Sequence, residues 1–293
     1  DLRFPHEEID GYWQLLEKER LRHTPPAIER IYAAHRGRDG TSVLCQVAFC
    51  WYSPLSKYHH DPDLLRFFAA GLRFHLDAIR DDGLMATHAL MGHGWAHGWD
   101  VEGLIYGLTF CREAIDPALV QRARQRFALA ARRLADLPDQ SPILIGSVGN
   151  QRCVWTLGLH LYGWFLERDD LLEMSDRHWN DLMPKVLDAS GQVIEQHGPC
   201  MHYSYTAFIY AWLNLVVRGD DSQEERVLRC LNWFRLRHTT SLYPIAGPSS
   251  RQYYETVPHA ISDLWPATEQ VASRDPSLRE FVDRAMARSL SHD

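Results

Sequence analysis

The segment QRCVWTLGLHLYGWFLE, residues 151–167, decides the class of fold. Its apolar side chains, among them Trp155, Leu159 and Trp164, leave little polar surface on any side of a helix. A helix that is apolar nearly all round is expected to be buried. The segment that follows, 169–188, is more charged. The sequence therefore predicts a buried helix followed by a helix that faces solvent.

The same alternation of apolar and polar helices extends along the chain. Asp116 before Pro117 is a typical helix start, because Asp caps the first turn and Pro suits its first position. Almost no strand pattern is present, and no linker rich in Pro, Gly or Ser divides the chain. Apolar residues at spacings of three and four predict further helices over 61–79, about 100–115, 117–136, 204–217 and 222–238. We predict one all-α domain, residues 1–293, of about five or six helical hairpins that curve into an (α/α) toroid, either closed or incomplete as an open solenoid.

Four polar loops that contain glycine recur along the chain. Their reference residues His97, Asn150, His202 and Arg251 are separated by 53, 52 and 49 residues. A helical hairpin with its loops takes about this length, so the period indicates an array of hairpins with the loops at one end. Loops on a rigid scaffold are where binding and catalysis usually occur. The four loops read GHGWAHGWD (92–100), GNQR (149–152), QHGPCMHYSY (196–205) and GPSSRQYY (247–254).

Composition excludes some classes of function. The net charge of −7 and the lack of a basic run argue against nucleic-acid binding, although a local group of Arg and His can still attract an anionic substrate. No stretch approaches the roughly 18 uninterrupted apolar residues of a membrane-spanning helix.

The six cysteines contain no CxxC pair and are expected to be buried thiols. The chain opens at Asp1 without a signal-like segment, so we expect a periplasmic or secreted location if a signal peptide was removed and a cytoplasmic one otherwise.

The second and third loops resemble the toroid domain of polysaccharide lyases. The nearest comparison is the heparinase II/III and alginate lyase group, along with related bacterial toroid proteins of unassigned activity. In that group an Asn opens one inner helix, as Asn150 does here. Further along comes an Asp-Gly stretch, an acidic residue, a Gly/Ser-Pro pair, and then Tyr and His. This chain has DASGQ at 188–192 and EQHGPCMHYSY at 195–205. The segment PIAGPSSR, 244–251, resembles a further loop whose Arg faces the cleft, and the resemblance covers roughly residues 85–265.

The resemblance implies a lyase that cleaves an acidic, uronate-containing polysaccharide or oligosaccharide by β-elimination. Asn150 then neutralises the substrate carboxylate, where preorganised donors stabilise the developing negative charge. Arg251 assists it, since the planar guanidinium matches a carboxylate. A Tyr or His acts as base and a Tyr as acid within hydrogen-bond reach, and the candidates are His202, Tyr203 and Tyr205.

Six further residues of the loops are expected to contact the substrate. Two positions depart from the family's pattern, because Gln151 stands where many relatives have His and Met201 stands where the family often has Tyr. His93 and His97 are four residues apart, but without an HExxH motif or a Cys pair they do not predict a metal site. We therefore expect neither a metal ion nor a cofactor. The expected substrate contacts are His97, Trp95, Trp99, Gln151, His197 and Tyr254.

Two other functions remain open. A glycoside hydrolase on an (α/α) toroid needs two carboxylates, and Glu195 with Asp100 is the preferred pair from a set that also holds Glu102 and Asp188. A non-catalytic glycan-binding protein would use the aromatic loops to hold a ligand. Asn150 could also serve only as a helix cap.

Overall fold

The computed structural model describes residues 40–85, 97–136, 149–193, 201–219, 221–237 and 275–290, and every regular element in these ranges is helical. Extended pairing is limited there to two isolated bridges. The predicted all-α class is therefore confirmed, while closure into a toroid stays a prediction. None of the helices in these ranges is long and apolar enough to cross a membrane. The helices are α1 Gly40–Tyr52, α2 Pro62–Ala78, α3 His97–Cys111, α4 Pro117–Ala135, α5 Gly149–Leu166, α6 Asp169–Val186, α7 Met201–Arg218, α8 Glu224–Leu236 and α9 Arg279–Leu290, with short 3-10 turns at Asp221–Gln223 and Pro276–Leu278.

Helix ends agree with the sequence where a capping residue marks them. Asp116 caps α4, and its side chain accepts a hydrogen bond from the Ala118 N–H at 2.9 Å. The helix predicted over about 100–115 instead occupies His97–Cys111. It ends early because the Ala114 and Ile115 N–H groups both donate to the Cys111 carbonyl and turn the chain toward Asp116.

The chain divides into two compact units. Among the described elements, the first unit contains α1 to α4 together with the Gly158–Glu173 portion of α5 and α6. The second contains α5 up to Leu157, α6 from Met174, and α7 to α9. Two helices thus contribute residues to both units, and a single domain over 1–293 stays a prediction.

In the first unit, α1 and α3 run parallel. Cys45 of α1 interacts with Tyr106 of α3, and one turn further along both helices the Phe49 and Phe110 rings are 5.5 Å apart. An added side chain on Gly107 would meet the Phe68 ring, so α2 packs closely on α3 at that point. The sequence therefore uses a glycine to bring these two helices together.

Helix α4 packs antiparallel to the later part of α5, also in the first unit. Its Phe127 ring lies 5.7 Å from Tyr162, and one turn earlier the Arg124 guanidinium lies over the Phe165 ring. The apolar α5 therefore packs against a helix that precedes it, α4, as well as leading into the charged α6 that the sequence predicts.

In the second unit, α6 runs antiparallel to both α5 and α7. The Ser175 hydroxyl of α6 donates to the Thr156 carbonyl of α5 at 2.7 Å, and Asp176 pairs with Arg218 at the end of α7. Apolar side chains from α5 to α9 fill the core of this unit. They include Cys153, Trp179, Met183, Phe208, Ala211, Trp233, Phe234 and Phe281.

One type of turn occurs in each unit, beginning at residues 79 and 187, which are 108 positions apart. In turns 79–85 and 187–193 the first and last residues form an antiparallel bridge. The second N–H donates to the sixth carbonyl at 2.8 Å and 3.0 Å, respectively. The fifth residue is Gly83 or Gly191, with φ of 80° and 85°. The recurrence corresponds to two hairpins of the predicted length.

Both turns require their glycine because of packing as well as backbone conformation. A side chain at Gly83 would overlap the Leu129 carbonyl of α4, and one at Gly191 would overlap the Arg229 carbonyl of α8. Positive φ is costly for residues with a Cβ, so conformation and packing both demand glycine here. Each turn is thereby held against the helix of the following hairpin.

Candidate functional site

Those residues predicted for catalysis that the structure describes occupy the first turns of two helices in the second unit. Asn150 and Gln151 lie at the start of α5, and the backbones of His202, Tyr203 and Tyr205 lie at the start of α7. The side chains of the last three are outside what the structure describes, as are those of His97 and Trp99 in the first turn of α3. The remaining predicted positions fall outside the described residues altogether, and they are Trp95, Glu195, His197, Arg251 and Tyr254.

Asn150 is buried, with 4% of its surface exposed. Helix α5 begins one residue earlier than Asn150, so the expectation that Asn150 precedes the helix as its cap is wrong in position. Its Oδ1 nevertheless accepts a hydrogen bond from the Gln151 N–H at 2.8 Å. That N–H belongs to the first turn, where backbone donors have no partner within the helix. The side chain therefore satisfies a helix-end donor while its Nδ2 keeps its own hydrogens to donate.

A buried side chain connects α5 to α7. Asn214 is fully buried, and its Nδ2 donates to the Cys153 carbonyl of α5 at 2.9 Å and to the Tyr210 carbonyl of its own helix at 2.7 Å. Its Oδ1 accepts from Arg218 at 3.2 Å, and Arg218 also reaches the Thr156 carbonyl of α5. The two contacts from α7 to α5 span 61 and 62 residues. Because both spans are nearly equal, the two helices are parallel and begin at the same end.

This register sets the level of the predicted residues along the helix axis. A span of 61 residues places Asn150 opposite Ala211. At 1.5 Å per residue, Tyr205 then lies about 9 Å and His202 about 13 Å nearer the start of α7. Tyr205 is therefore the closer of the two to the level of Asn150.

Two buried polar atoms in the same helix starts have no hydrogen-bond partner among the described residues. They are the Gln151 Oε1 and the hydroxyl of Ser204, a residue with no exposed surface. Buried polar groups are normally paired, so both atoms hold unused hydrogen-bonding capacity beside the predicted catalytic residues. Sequence reasoning missed Ser204, and its place between Tyr203 and Tyr205 was the available signal.

Arg152, two residues after Asn150, belongs to a different environment. With His178 and Asp181 of α6 it lines a cavity of about 20 Å³, room for about one water molecule. Burial lowers the pKa of the His178 imidazole, and the neighbouring Arg177 adds to this effect. His178 meets the Trp155 ring edge-on at 4.6 Å. This cavity is too small for a sugar, so the cluster is part of the packing between α5 and α6.

Asp188, one of the carboxylates available to a hydrolase, is engaged in its own turn. Its Oδ1 accepts hydrogen bonds from the Ser190 N–H at 2.7 Å, the Ser190 hydroxyl at 2.6 Å and the Gln192 N–H at 3.0 Å. Partial burial opposes ionisation, but these hydrogen bonds outweigh it and hold the pKa of Asp188 below its ordinary value. Asp188 is therefore a turn-forming residue.

Within the described ranges, no group of three or more His, Cys, Asp or Glu side chains is placed to hold a metal ion. Comparison of the chain with protein-family models, with curated proteins and with solved structures found no match. The resemblance to the lyase toroid thus rests on the residues quoted from the sequence.

Proposed function

We propose that the protein is a polysaccharide lyase that cleaves a uronate-containing glycan by β-elimination. The observation that carries the proposal is the parallel arrangement of α5 and α7, since it puts Asn150 and the His202–Tyr205 turn at the same end of the second unit. Loops at one end of a helical scaffold are a common place for a binding site. The unpaired polar atoms of Gln151 and Ser204 add hydrogen-bonding capacity there.

In the proposed reaction, Asn150 and Arg251 neutralise the carboxylate next to the carbon that loses its proton. A base takes this proton from C5, the electron pair forms the C4–C5 double bond, and the C4–O4 bond breaks as an acid protonates the leaving oxygen. His202 and Tyr205 are assigned as base and acid. The register favours Tyr205 over His202 for the group that works closest to Asn150.

The hydrolase alternative receives less support. It needs two carboxylates, one on each side of the bond. The Oδ1 of Asp188 already accepts three hydrogen bonds within its own turn. Glu195 with Asp100 remains the pair that a hydrolase would use.

The direct test is incubation of the protein with alginate, heparan sulfate, hyaluronan and pectate. A lyase generates an unsaturated uronate, which absorbs in the ultraviolet, whereas a hydrolase releases reducing ends without this absorbance. Absence of the ultraviolet product with all four polymers would refute the proposal. Reducing ends without that product, lost in Glu195→Gln, would instead identify a hydrolase.

A pair of substitutions at Asn150 separates catalysis from helix capping. Asp accepts a hydrogen bond as Asn does and suits a helix start, so Asn150→Asp retains the cap. It also places a negative charge against the substrate carboxylate, and we expect the rate to fall by about 10²–10³-fold, the usual loss when a preorganised donor is removed. Asn150→Ser keeps a cap without the charge and loses activity to a similar extent. Full activity in a folded Asn150→Asp protein would show that Asn150 has only a structural role.

A further inference from the structure

The first unit contains a cleft, and the described residues that line it include none of those predicted from the loops. It has a volume of about 530 Å³ and lies where the last turns of α1, α3 and α5 meet. Ligand pockets in proteins usually measure about 300–1,000 Å³, so a small oligosaccharide or a similar ligand fits. The aromatic residues Tyr52, Phe110 and Trp164 contribute one wall from each of the three helices.

Two of these aromatic residues are unusually open to solvent. Tyr52 and Trp164 have 52% and 49% of their surface exposed. Tyr52 also packs against Phe110, with ring centroids 5.4 Å apart, and this contact fixes its position. Large aromatic residues are normally well buried, so two half-exposed aromatic side chains on one cleft form a surface suited to stacking with a flat ligand.

The polar residues of the cleft are available to a ligand. Arg112 and Glu113 follow α3 directly, and both are exposed. In the part of the chain that the structure describes, neither forms a side-chain hydrogen bond or an ion pair. The pKa of Glu167 is lowered mainly by Arg124 and to a smaller extent by the charge of Arg112. Arg supplies donors and Glu supplies acceptors. Their charges are opposite, so the pair presents both hydrogen-bonding functions without a net charge that would select an ion.

Backbone strain occurs at the same place. Within the described ranges, His60 and Glu167 are the non-glycine residues with positive φ, each at 58°. His60 lines the cleft, and its N–H donates to the Trp51 carbonyl at 2.8 Å while its ring lies 4.9 Å from the Trp51 ring. Glu167 follows Trp164 by three residues. Strained backbone of this kind is concentrated at functional sites.

We propose that this cleft binds a neutral oligosaccharide by stacking pyranose rings on Tyr52 and Trp164. A pyranose with equatorial hydroxyls has apolar faces that stack on aromatic rings and a hydroxyl edge that both donates and accepts hydrogen bonds. Arg112 and Glu113 match that edge, and the lack of net charge at the rim favours a neutral sugar over an anion or a cation. The inference does not depend on the proposed lyase activity, because its residues lie in the first unit and those of the proposed catalytic site lie in the second.

The test is isothermal titration calorimetry of the full chain with cellohexaose and with chitohexaose. We expect saturable binding of at least one of them. Trp164→Ala and Tyr52→Ala should each weaken binding about tenfold or more, since aromatic contacts carry both buried area and specific ring interactions. Trp164→Phe, which retains a ring, should keep most of the affinity. Leu236→Ala removes an exposed apolar side chain elsewhere, 62% exposed, and should change binding less than twofold.

Several outcomes would overturn the inference. Neither hexasaccharide binding to the wild-type protein would refute it, as would unchanged binding in both Trp164→Ala and Tyr52→Ala. Choline can be titrated in the same way. If choline bound and the sugars did not, and if Trp164→Ala and Tyr52→Ala abolished choline binding, the cleft would be a cation site. Asn150→Ala separates the two proposals, because it should abolish lyase activity and leave hexasaccharide binding unchanged.

Discussion

Replacing Asn214 with Ala should destabilise the second unit by about 2.5 kcal/mol. The side chain is fully buried and makes three hydrogen bonds, to the Cys153 and Tyr210 carbonyls and from Arg218. Helix carbonyls keep their backbone partners, so we take the low end, about 1 kcal/mol, for each lost bond. Ala is the better helix former by roughly half a kcal/mol, which offsets part of the loss.

Urea unfolding followed by circular dichroism measures this effect, and Asn232→Ala is the matched control. Asn232 also lies in a helix, but its Oδ1 accepts hydrogen bonds only at the surface, from Arg235 at 3.0 Å and 2.8 Å. The same change there gains the same helix propensity, so its free energy of unfolding should stay within about 0.5 kcal/mol of the wild type. A loss below about 1 kcal/mol for Asn214→Ala, or equal losses in the two variants, would refute the connection between α5 and α7.

Three further results are expected. Gly191→Ala combines positive φ with overlap on the Arg229 carbonyl, so it should lower the unfolding midpoint far more than Gly219→Ala, where φ is 59° and no atom lies within 4 Å; similar midpoints would show that the turn does not pack on α8. Because burial lowers the pKa of native His178, its stabilising contribution is complete above about pH 6.5, the unfolded value, and is lost as the pH falls toward the native pKa. Urea midpoints at pH 7.5 and pH 5.5 should therefore differ more for the wild type than for His178→Gln, and an equal difference would contradict this. Burial raises the pKa of the Cys45 and Cys111 thiols to about 12 and also raises the pKa of Cys50 and Cys230. Because the thiolate is the reactive form, iodoacetamide at pH 8 should modify these four cysteines only after unfolding, and peptide mass spectrometry would show this.

The helices were predictable because periodic apolar residues and capping residues encode them locally. Asp116 fixed the start of α4, and the apolar pattern of 151–167 matched α5 within two residues at its start and one at its end. The start of α3 was misplaced by three residues, since Gly98 lies inside the helix. A side chain on Gly158 would come within 2.9 Å of the Gly98 Cα, so this glycine serves close packing that the local pattern does not encode.

The candidate sites depend on register between helices, which the sequence expresses only weakly. The loop spacing indicated one common end for the catalytic residues, and the Asn214 hydrogen bonds show that α5 and α7 run in the same direction. The offset between the levels of Asn150 and His202 could not be read from the spacing, because it depends on which side chains interlock. The aromatic cleft was missed for the same reason, as Tyr52, Phe110 and Trp164 come from three helices far apart in the chain.

The two turns at 79–85 and 187–193 also bear on the modularity of the chain. A bridge, a hydrogen bond and a left-handed glycine that recur 108 residues apart are the pattern expected from a structural unit of two hairpins that occurs twice. In the turn 79–85, Asp82 at the fourth position accepts a hydrogen bond from the Leu84 N–H. In the turn 187–193, Asp188 at the second position accepts the equivalent hydrogen bond from the Gln192 N–H. The two turns thus share one geometry, and an aspartate supports it from a different position in each. Chimaeras that exchange the two heptapeptides should therefore fold, and two-hairpin units are the natural segments for recombining this protein.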